Sequence, residues 1–455
     1  MDVSLPGAGH VAVRFLCRGD QPCQLPLHRS RRRGRRRRAR EAEPHRRSLR
    51  ADGRDRPRQL MSLRHGAGAE GNAMQIDEIE LFHVAMPLKA PWRTAFGEET
   101  AIDSILVRLK GEGEEGWGET APYRLPQFSP EWASGAFGLL RDVMAPALIG
   151  KRIDSADVLQ RELAPLKGNH FAKAGLDTAW WDLAAKLAGE PLWKMIGGKG
   201  PDAVVGADIA VMDDLDELVS AVGKAQEDGF QRTKLKFRRG WGLEMVARVR
   251  EAFPDAVLHV DCNSAFTLDD IAMFRELDRF GLAMIEQPLA YDDLIDHARL
   301  QAELKTPICL DESITSVDRA RKAIDIGACG WINIKPGRVG GLTNAIAIHD
   351  LCAARDVPCW IGGMLESAVG QGPALALSTL PNVKYPCDVF PSDRLYQTDL
   401  SEPEIILSGP GRITASDRAG HGFRPHSERL AGVTRAYAAV SNKARRDSSD
   451  SRLAR

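Results

Sequence analysis

Apolar residues in the middle of the chain fall into short runs, and each run ends on a charge. Thr233-Lys234-Leu235-Lys236, Leu258-His259-Val260-Asp261, Ala283-Met284-Ile285-Glu286, Ile308-Cys309-Leu310-Asp311 and Ile332-Asn333-Ile334-Lys335 follow one another at nearly regular intervals, with Glu312 directly after Asp311. Runs this short and this apolar read as buried strands. The stretches between them, 266–280, 291–304, 315–326 and 342–355, have apolar positions at helical spacing. Strand and helix alternating over many repeats predict a parallel sheet, and an α/β fold with a (β/α)8-type barrel accommodates the repeat. With 204–209 as strand one, Lys236 ends strand two, Asp261 strand three, Glu286 strand four, Asp311 strand five and Lys335 strand six.

Parallel barrels of this kind carry their chemistry at the C-terminal ends of the strands, where these charges fall. Neighbouring strands lie about 4.8 Å apart, so carboxylates on strands three, four and five converge near one point. Three anions that close repel unless a cation sits among them. A hard divalent ion with oxygen ligands, Mg²⁺ or Mn²⁺, is the expected partner, and no Cys or His cluster offers a softer site. Strands two and six are opposite in a ring of eight, so Lys236 and Lys335 should face each other across the mouth. Side-chain alternation places Lys234 with Lys236, and Asp261 with Asn263 and His259, toward the barrel interior. The alternative is an ion-pair network that closes the barrel top without chemistry. Two opposed lysines would then have to neutralise three carboxylates.

The segments Lys234-Leu235-Lys236, Asp261-Cys262-Asn263, Glu286-Gln287-Pro288, Asp311-Glu312-Ser313 and Lys335-Pro336-Gly337-Arg338-Val339-Gly340-Gly341, in this order and spacing, resemble the enolase superfamily and, within it, the muconate-lactonizing-enzyme subgroup. Met86-Pro87-Leu88-Lys89-Ala90-Pro91, Gly362-Gly363-Met364-Leu365-Glu366 and Ser392-Asp393-Arg394 are similar to the o-succinylbenzoate synthase and N-succinylamino acid racemase family. The resemblance spans residues 74–430. It implies a Mg²⁺-dependent lyase or isomerase that removes the proton α to a carboxylate by way of an enediolate. Asp261, Glu286 and Asp311 would bind the metal and Lys236 and Lys335 would act as acid and base. Lys234, Asn263, Glu312, Arg338 and Glu366 would support these groups or touch substrate. The outcome would be syn dehydration in menaquinone biosynthesis, racemisation of an N-acylamino acid, or both; a muconate-type cycloisomerase and a dipeptide epimerase are the alternatives. One departure stands out: after Gly370 the chain reads Gln371-Gly372-Pro373, where that family has an Arg-Ala-His stretch. A lysine must be neutral to act as a base, so its pKa must fall from about 10.4. Lys234 beside Lys236, and Arg338 one turn past Lys335, are expected to lower it.

Enolase-like proteins lay an α+β domain over the barrel, and residues 74–195 suit that role, strand-rich to Val107 and helical afterwards. The expected division is a 74–195 cap, a 196–395 barrel, a 396–435 segment returning to the cap and a loose tail at 436–455. The cap loops 92–98 and 123–128 carry Trp92, Arg93, Phe96, Tyr123 and Phe128, which either close over substrate or pack internally. Trp180 and Trp181 share a helical face with Ala172, Leu176 and Leu183 and read as core.

Charge changes the picture only at the N-terminus. The chain of 455 residues is neutral overall, yet residues 1–73 hold 18 Arg, no Lys and 7 acidic residues, a balance of +11 that leaves −11 for the remainder. The run Arg31–Arg38 lies in a stretch, 30–58, with too few apolar residues to bury a core, so disorder is expected there. It reads as a nucleic-acid or acidic-surface tail, as a transit peptide, or as sequence upstream of a true start at Met74, the last being favoured. Apart from this extension, the expected partner is a small carboxylate, and neither nucleic acid nor membrane. With no 18-residue apolar stretch and no secretory leader pattern, a cytoplasmic protein is expected, assembling as a homo-oligomer. The eight cysteines lack CxxC pairs and read as reduced core residues.

Overall fold

A computed structural model describes residues 74–94 and 97–441; the expectations for 1–73, Phe96 and 442–455 lie outside the described residues. Seven strands, Ala207–Ile209, Thr233–Lys236, Leu258–Asp261, Ile285–Glu286, Ile308–Leu310, Trp331–Ile334 and Cys359–Ile361, form one sheet in which each runs parallel to the next in sequence order. Their residues are almost all buried, as strands covered on both faces require. Helices Leu215–Glu227, Gly242–Ala252, Ile271–Leu277, Ile295–Glu303, Val317–Asp325, Leu342–Ala354 and Ala368–Leu377 follow the seven strands in turn. Three start at side-chain caps that the sequence provides: Asp214 accepts from the Asp216 and Glu217 amides, Ser316 from that of Arg319 and Ser367 from that of Val369.

The eighth barrel position is filled differently from expectation. Residues 383–388 make no continuous ladder, but they bond to both neighbours and close the ring. Lys384 N donates to Cys359 O at 3.0 Å and Asp388 N to Ile361 O at 2.8 Å on one side. On the other, Cys387 N donates to Val204 O at 2.9 Å and Gly206 N to Cys387 O at 3.0 Å. Pro386, which has no N–H to give, interrupts the run.

Strand one also differs, because 204–209 is not a single strand. Asp202–Val204 pairs antiparallel with Arg412–Thr414, and only Ala207–Ile209 enters the barrel. The break falls at Gly206, where a Cβ would lie 2.1 Å from Arg232 Nε. Arg232 is fully buried, donates to Pro386 O and Ala207 O, and pairs with Asp388. It therefore joins strands one and two to the closing segment.

The cap is a four-stranded antiparallel sheet of Glu78–Thr94, Gly97–Gly111, Glu114–Thr120 and Thr434–Ser441, the last lying at the edge beside the first. This corrects the expected loose tail at 436–455 for its first six residues. Ala436, Ala438 and Val440 alternate onto the cap core, and the Tyr437 hydroxyl donates to Glu80 at 2.7 Å. Helix His170–Leu187 packs on the sheet and reaches the barrel. Trp180 is buried, whereas Trp181 is partly exposed and donates from Nε1 to Thr343 Oγ1 at 2.9 Å. An apolar cluster that includes Met86, Phe128, Phe171, Met364, Leu365 and Phe390 joins cap and barrel. Among the described residues, no helix is long and apolar enough to cross a membrane, and the six described cysteines are buried and unpaired.

Candidate active site

The ends of strands three, four and seven turn through unfavourable backbone conformations. Asn263 (φ 43°), Ser264 (φ 62°), Gln287 (φ 37°) and Leu365 (φ 62°) are left-handed without being glycine. Surrounding bonds hold them there. Gln287 is buried, donates to Ser313 Oγ at 2.7 Å, and accepts from the amides of Asp311 (2.9 Å) and Ser313 (3.2 Å). One side chain thus sets the position of the loop that follows strand five.

The six charges of the sequence rhythm, and the lysine at 234, are all buried at this mouth. Lys236 Nζ lies 2.9 Å from Asp261 Oδ2, and Lys234 Nζ lies 2.9 Å from the same oxygen and 2.8 Å from Glu286 Oε2. Lys335 Nζ lies 2.9 Å from Asp311 Oδ2, whose other oxygen pairs with Arg338. Arg338 also donates to Ile314 O at 2.7 Å and Asn333 O at 2.5 Å. An ion-pair network of the kind weighed from sequence is therefore present, with four basic side chains, Lys234, Lys236, Lys335 and Arg338, among the carboxylates. Burial alone would raise the Asp261 carboxyl, but Lys234 and Lys236 hold it far below its usual range. Lys234, though buried, is pushed up by Asp261, Glu286, Asp388 and Asp208 and remains a cation.

The remaining expected residues sit close by. Asn263 donates its amide to Asp261 Oδ1 at 3.0 Å. Glu366 accepts from Met364 N at 2.7 Å, and burial raises its pKa. Burial, with Asp261 nearby, raises Glu312 to about 8. Within the departure at Gln371-Gly372-Pro373, Gly372 faces the C-terminal segment, where a Cβ would meet His421 at 2.9 Å. Gln371 ties Glu366 O (3.0 Å) to the Phe390 amide (2.7 Å).

Several further buried polar residues stand here; His259 was expected to face the interior, whereas Asn333, Asp388 and Asp208 were not singled out from sequence. Asn333 donates to Glu286 Oε1 at 2.7 Å, and His259 places Nε2 at 3.3 Å from Glu286 Oε2 and Nδ1 at 3.1 Å from the Tyr385 hydroxyl. Asp388 pairs with Arg232 and lies 3.4 Å from Lys234, and Asp208 lies 3.5 Å from Lys236. Asp208 and Asn333 fall on the inward face of runs already read as strands, which was the available signal. Asp388 lies in the segment without a ladder and gives none.

From the cap, the Phe128 ring lies 4.6 Å from Lys335 Nζ. Arg93 pairs with Glu98 and accepts at its carbonyl from Val211 N of the barrel at 3.2 Å. Both aromatic loops thus reach the mouth.

As placed, among the described residues no three His, Cys, Asp or Glu side chains converge at metal-binding spacing, since lysines and Arg338 lie against the carboxylates. The donor set is nevertheless all oxygen and incompletely satisfied. Among the described residues, Glu312 Oε2 is buried without a hydrogen-bond partner, while Glu286 Oε2 and Asp311 Oδ2 are met only by ion-pair contacts, including Lys234 at 2.8 Å and Lys335 at 2.9 Å. Such a set suits a hard divalent cation.

A parallel barrel with acids and lysines of strands two and six at its C-terminal mouth, under an antiparallel cap, defines an enzyme of the enolase type. Residues 76–197 match the family described as Mandelate racemase / muconate lactonizing enzyme, N-terminal domain, and 217–429 match Enolase C-terminal domain-like. The chain is similar to the o-succinylbenzoate synthase of Geobacillus kaustophilus, 44% identical over 77% of this chain and 94% of that protein. It is also similar to the N-succinylamino acid racemase of Thermus thermophilus, 42% identical over 78% and 97%. An enolase-superfamily structure from Listeria innocua superposes with TM-score 0.78 at 34% identity, covering 81% of this chain and 99% of that one. The chain belongs to the mandelate racemase / muconate lactonizing enzyme family of the enolase superfamily.

Proposed function

We propose that this enzyme removes the proton α to a carboxylate, with Lys236 and Lys335 as acid and base on opposite faces of a small substrate. The observation that carries this reading is the pair of buried lysines from strands two and six, each seated on a carboxylate of the adjoining strand, Lys236 on Asp261 and Lys335 on Asp311. The C–H proton is weakly acidic because its removal places a second negative charge on the carboxylate, giving an enediolate. Asp261, Glu286 and Asp311 would hold Mg²⁺ (or Mn²⁺), which supplies neutralisation of that developing charge, an effect of several kcal/mol.

The chain's own residues do the rest. Lys234, held cationic, keeps Asp261 and Glu286 ionised and in place. A lysine amine takes the proton, a contribution of about 10²- to 10⁴-fold. If the opposite lysine returns a proton, the product is racemised, as the name N-succinylamino acid racemase describes for a relative. If the same lysine passes its proton to a leaving hydroxyl, the result is syn dehydration, the expected o-succinylbenzoate synthase step of menaquinone biosynthesis, and the opposite ammonium faces the developing charge. Phe128, packed over Lys335, excludes water from that face.

The test is incubation in D₂O with Mg²⁺ and a panel of N-succinylamino acids, dipeptides, muconate and the dehydration substrate, read by NMR at the α-hydrogen. Exchange or dehydration in one class identifies the substrate, and the absence of both across the panel refutes the reading.

A further inference from the structure

Asp208, in the middle of barrel strand one, has no part in the proton transfers described so far. It is 5% exposed. Its Oδ2 faces the strand-two lysines, 3.5 Å from Lys236 Nζ and 4.0 Å from Lys234 Nζ. Its Oδ1 is buried and has no hydrogen-bond partner. The backbone beneath it is fixed on two sides, in register with Lys234 and by a donation from Arg394 to the Asp208 carbonyl. A buried carboxylate oxygen left bare in a rigid setting is an acceptor lacking its donor. Among the described residues none supplies it, and the nearest reacting group is Lys236, 3.5 Å from the other oxygen. A donor for Oδ1 would therefore be carried by the atom attached to the carbon that Lys236 serves.

We propose that Asp208 determines specificity by accepting, through Oδ1, a hydrogen bond from an N–H on the α-carbon, which matches the site to N-acylamino acids. This rests on the α-proton abstraction proposed above. The amide keeps its N–H throughout: the C–H bond breaks, its proton passes to one lysine and its electron pair to the carboxylate, and the other lysine delivers a proton to the opposite face. The hydrogen bond to Asp208 is undisturbed by any of these transfers. A leaving hydroxyl is a poorer match, because a carboxylate accepting from it raises electron density on the oxygen that must be protonated and depart.

The experiment compares an N-succinylamino acid with its ester analogue, in which oxygen replaces N–H, by kcat/KM for α-hydrogen exchange in D₂O. In the wild-type protein the amide is preferred by roughly 10- to 100-fold, the effect of one hydrogen bond to a charged acceptor. In Asp208→Ala that preference disappears. In Asp208→Asn, which keeps a carbonyl acceptor of the same shape, part of it survives, and this variant serves if the alanine protein does not fold. The same preference in wild type and both variants overturns the assignment. So does a wild-type enzyme that carries out the dehydration but exchanges no N-acylamino acid, although proton abstraction then stands. Failure of both reactions instead sinks the proposed function.

Discussion

Replacing Arg232 by Met should open the barrel at its weakest seam. The guanidinium is 1% exposed and gives two bonds to Pro386 O and one to Ala207 O, besides its pairing with Asp388. Breaking a buried ion pair by removing one partner costs about 3–5 kcal/mol. Asp388 keeps Lys234 at 3.4 Å, which places the loss near the lower end, about 3 kcal/mol. Removing both charges, with Asp388→Leu added, leaves no bare anion, and Lys234 still has Asp261 and Glu286. The double variant should therefore regain a substantial part of the loss. Urea unfolding followed by tryptophan fluorescence measures this, and Trp360, whose ring lies 5.3 Å from the Arg232 guanidinium, reports on the seam. A loss below about 1 kcal/mol for Arg232→Met, or a double variant no more stable than the single one, would refute the reasoning.

Lys335→Ala and Lys236→Ala should each abolish α-deuterium exchange from one enantiomer of a racemised substrate, by about 10²- to 10⁴-fold, while sparing exchange from the other; NMR with each pure enantiomer decides, and equal losses from both would contradict opposed placement. Chelation should remove exchange activity and Mg²⁺ restore it, measured in the same assay. His297 accepts from Leu289 N at 3.2 Å and faces Asp293 O at 2.9 Å, an arrangement for the neutral ring, and burial lowers its pKa to about 4. Because the folded pKa lies below the ordinary value, its stabilisation is complete above about pH 6.5 and fades as pH falls through 4, a change of about 3 kcal/mol. The melting temperature of wild type should thus drop more steeply over that interval than that of His297→Gln. Gly341→Ala should loosen the cap, since φ is +117° and a Cβ would lie 2.3 Å from Asp177 Oδ1, which accepts from Thr343 N; limited proteolysis would show faster cleavage, and unchanged resistance would count against the contact.

The strand–helix rhythm and its terminal charges were legible because strands buried on both faces must be apolar until they reach the mouth, so Lys236, Asp261, Glu286, Asp311 and Lys335 stand out against their runs. What escaped depends on contacts between distant segments. Nothing around Pro386 marks 383–388 as the closing segment, because its bonds are scattered over two neighbours rather than spaced as a ladder. Gly206 looks like any residue of a strand until Arg232 is seen to fill the space a side chain would occupy. The alanine-rich Thr434–Ser441 has weak strand propensity alone, and its position comes from the cap surface it covers. Asp208 sits one residue before the end of its run, masked by Ile209.

The edge position of Thr434–Ser441, bonded to Glu78–Val84, links the order of synthesis to the completion of the fold. As the chain leaves the ribosome, Glu78–Val84 emerges early and the strand that covers it emerges last among the described elements. Throughout translation of the barrel, that edge presents bare amides and carbonyls, a template for unwanted pairing with a neighbouring nascent chain. A stop codon just before Thr434 would leave the barrel residues intact and make this exposure permanent. Such a product should therefore aggregate even though every side chain at the catalytic mouth is encoded.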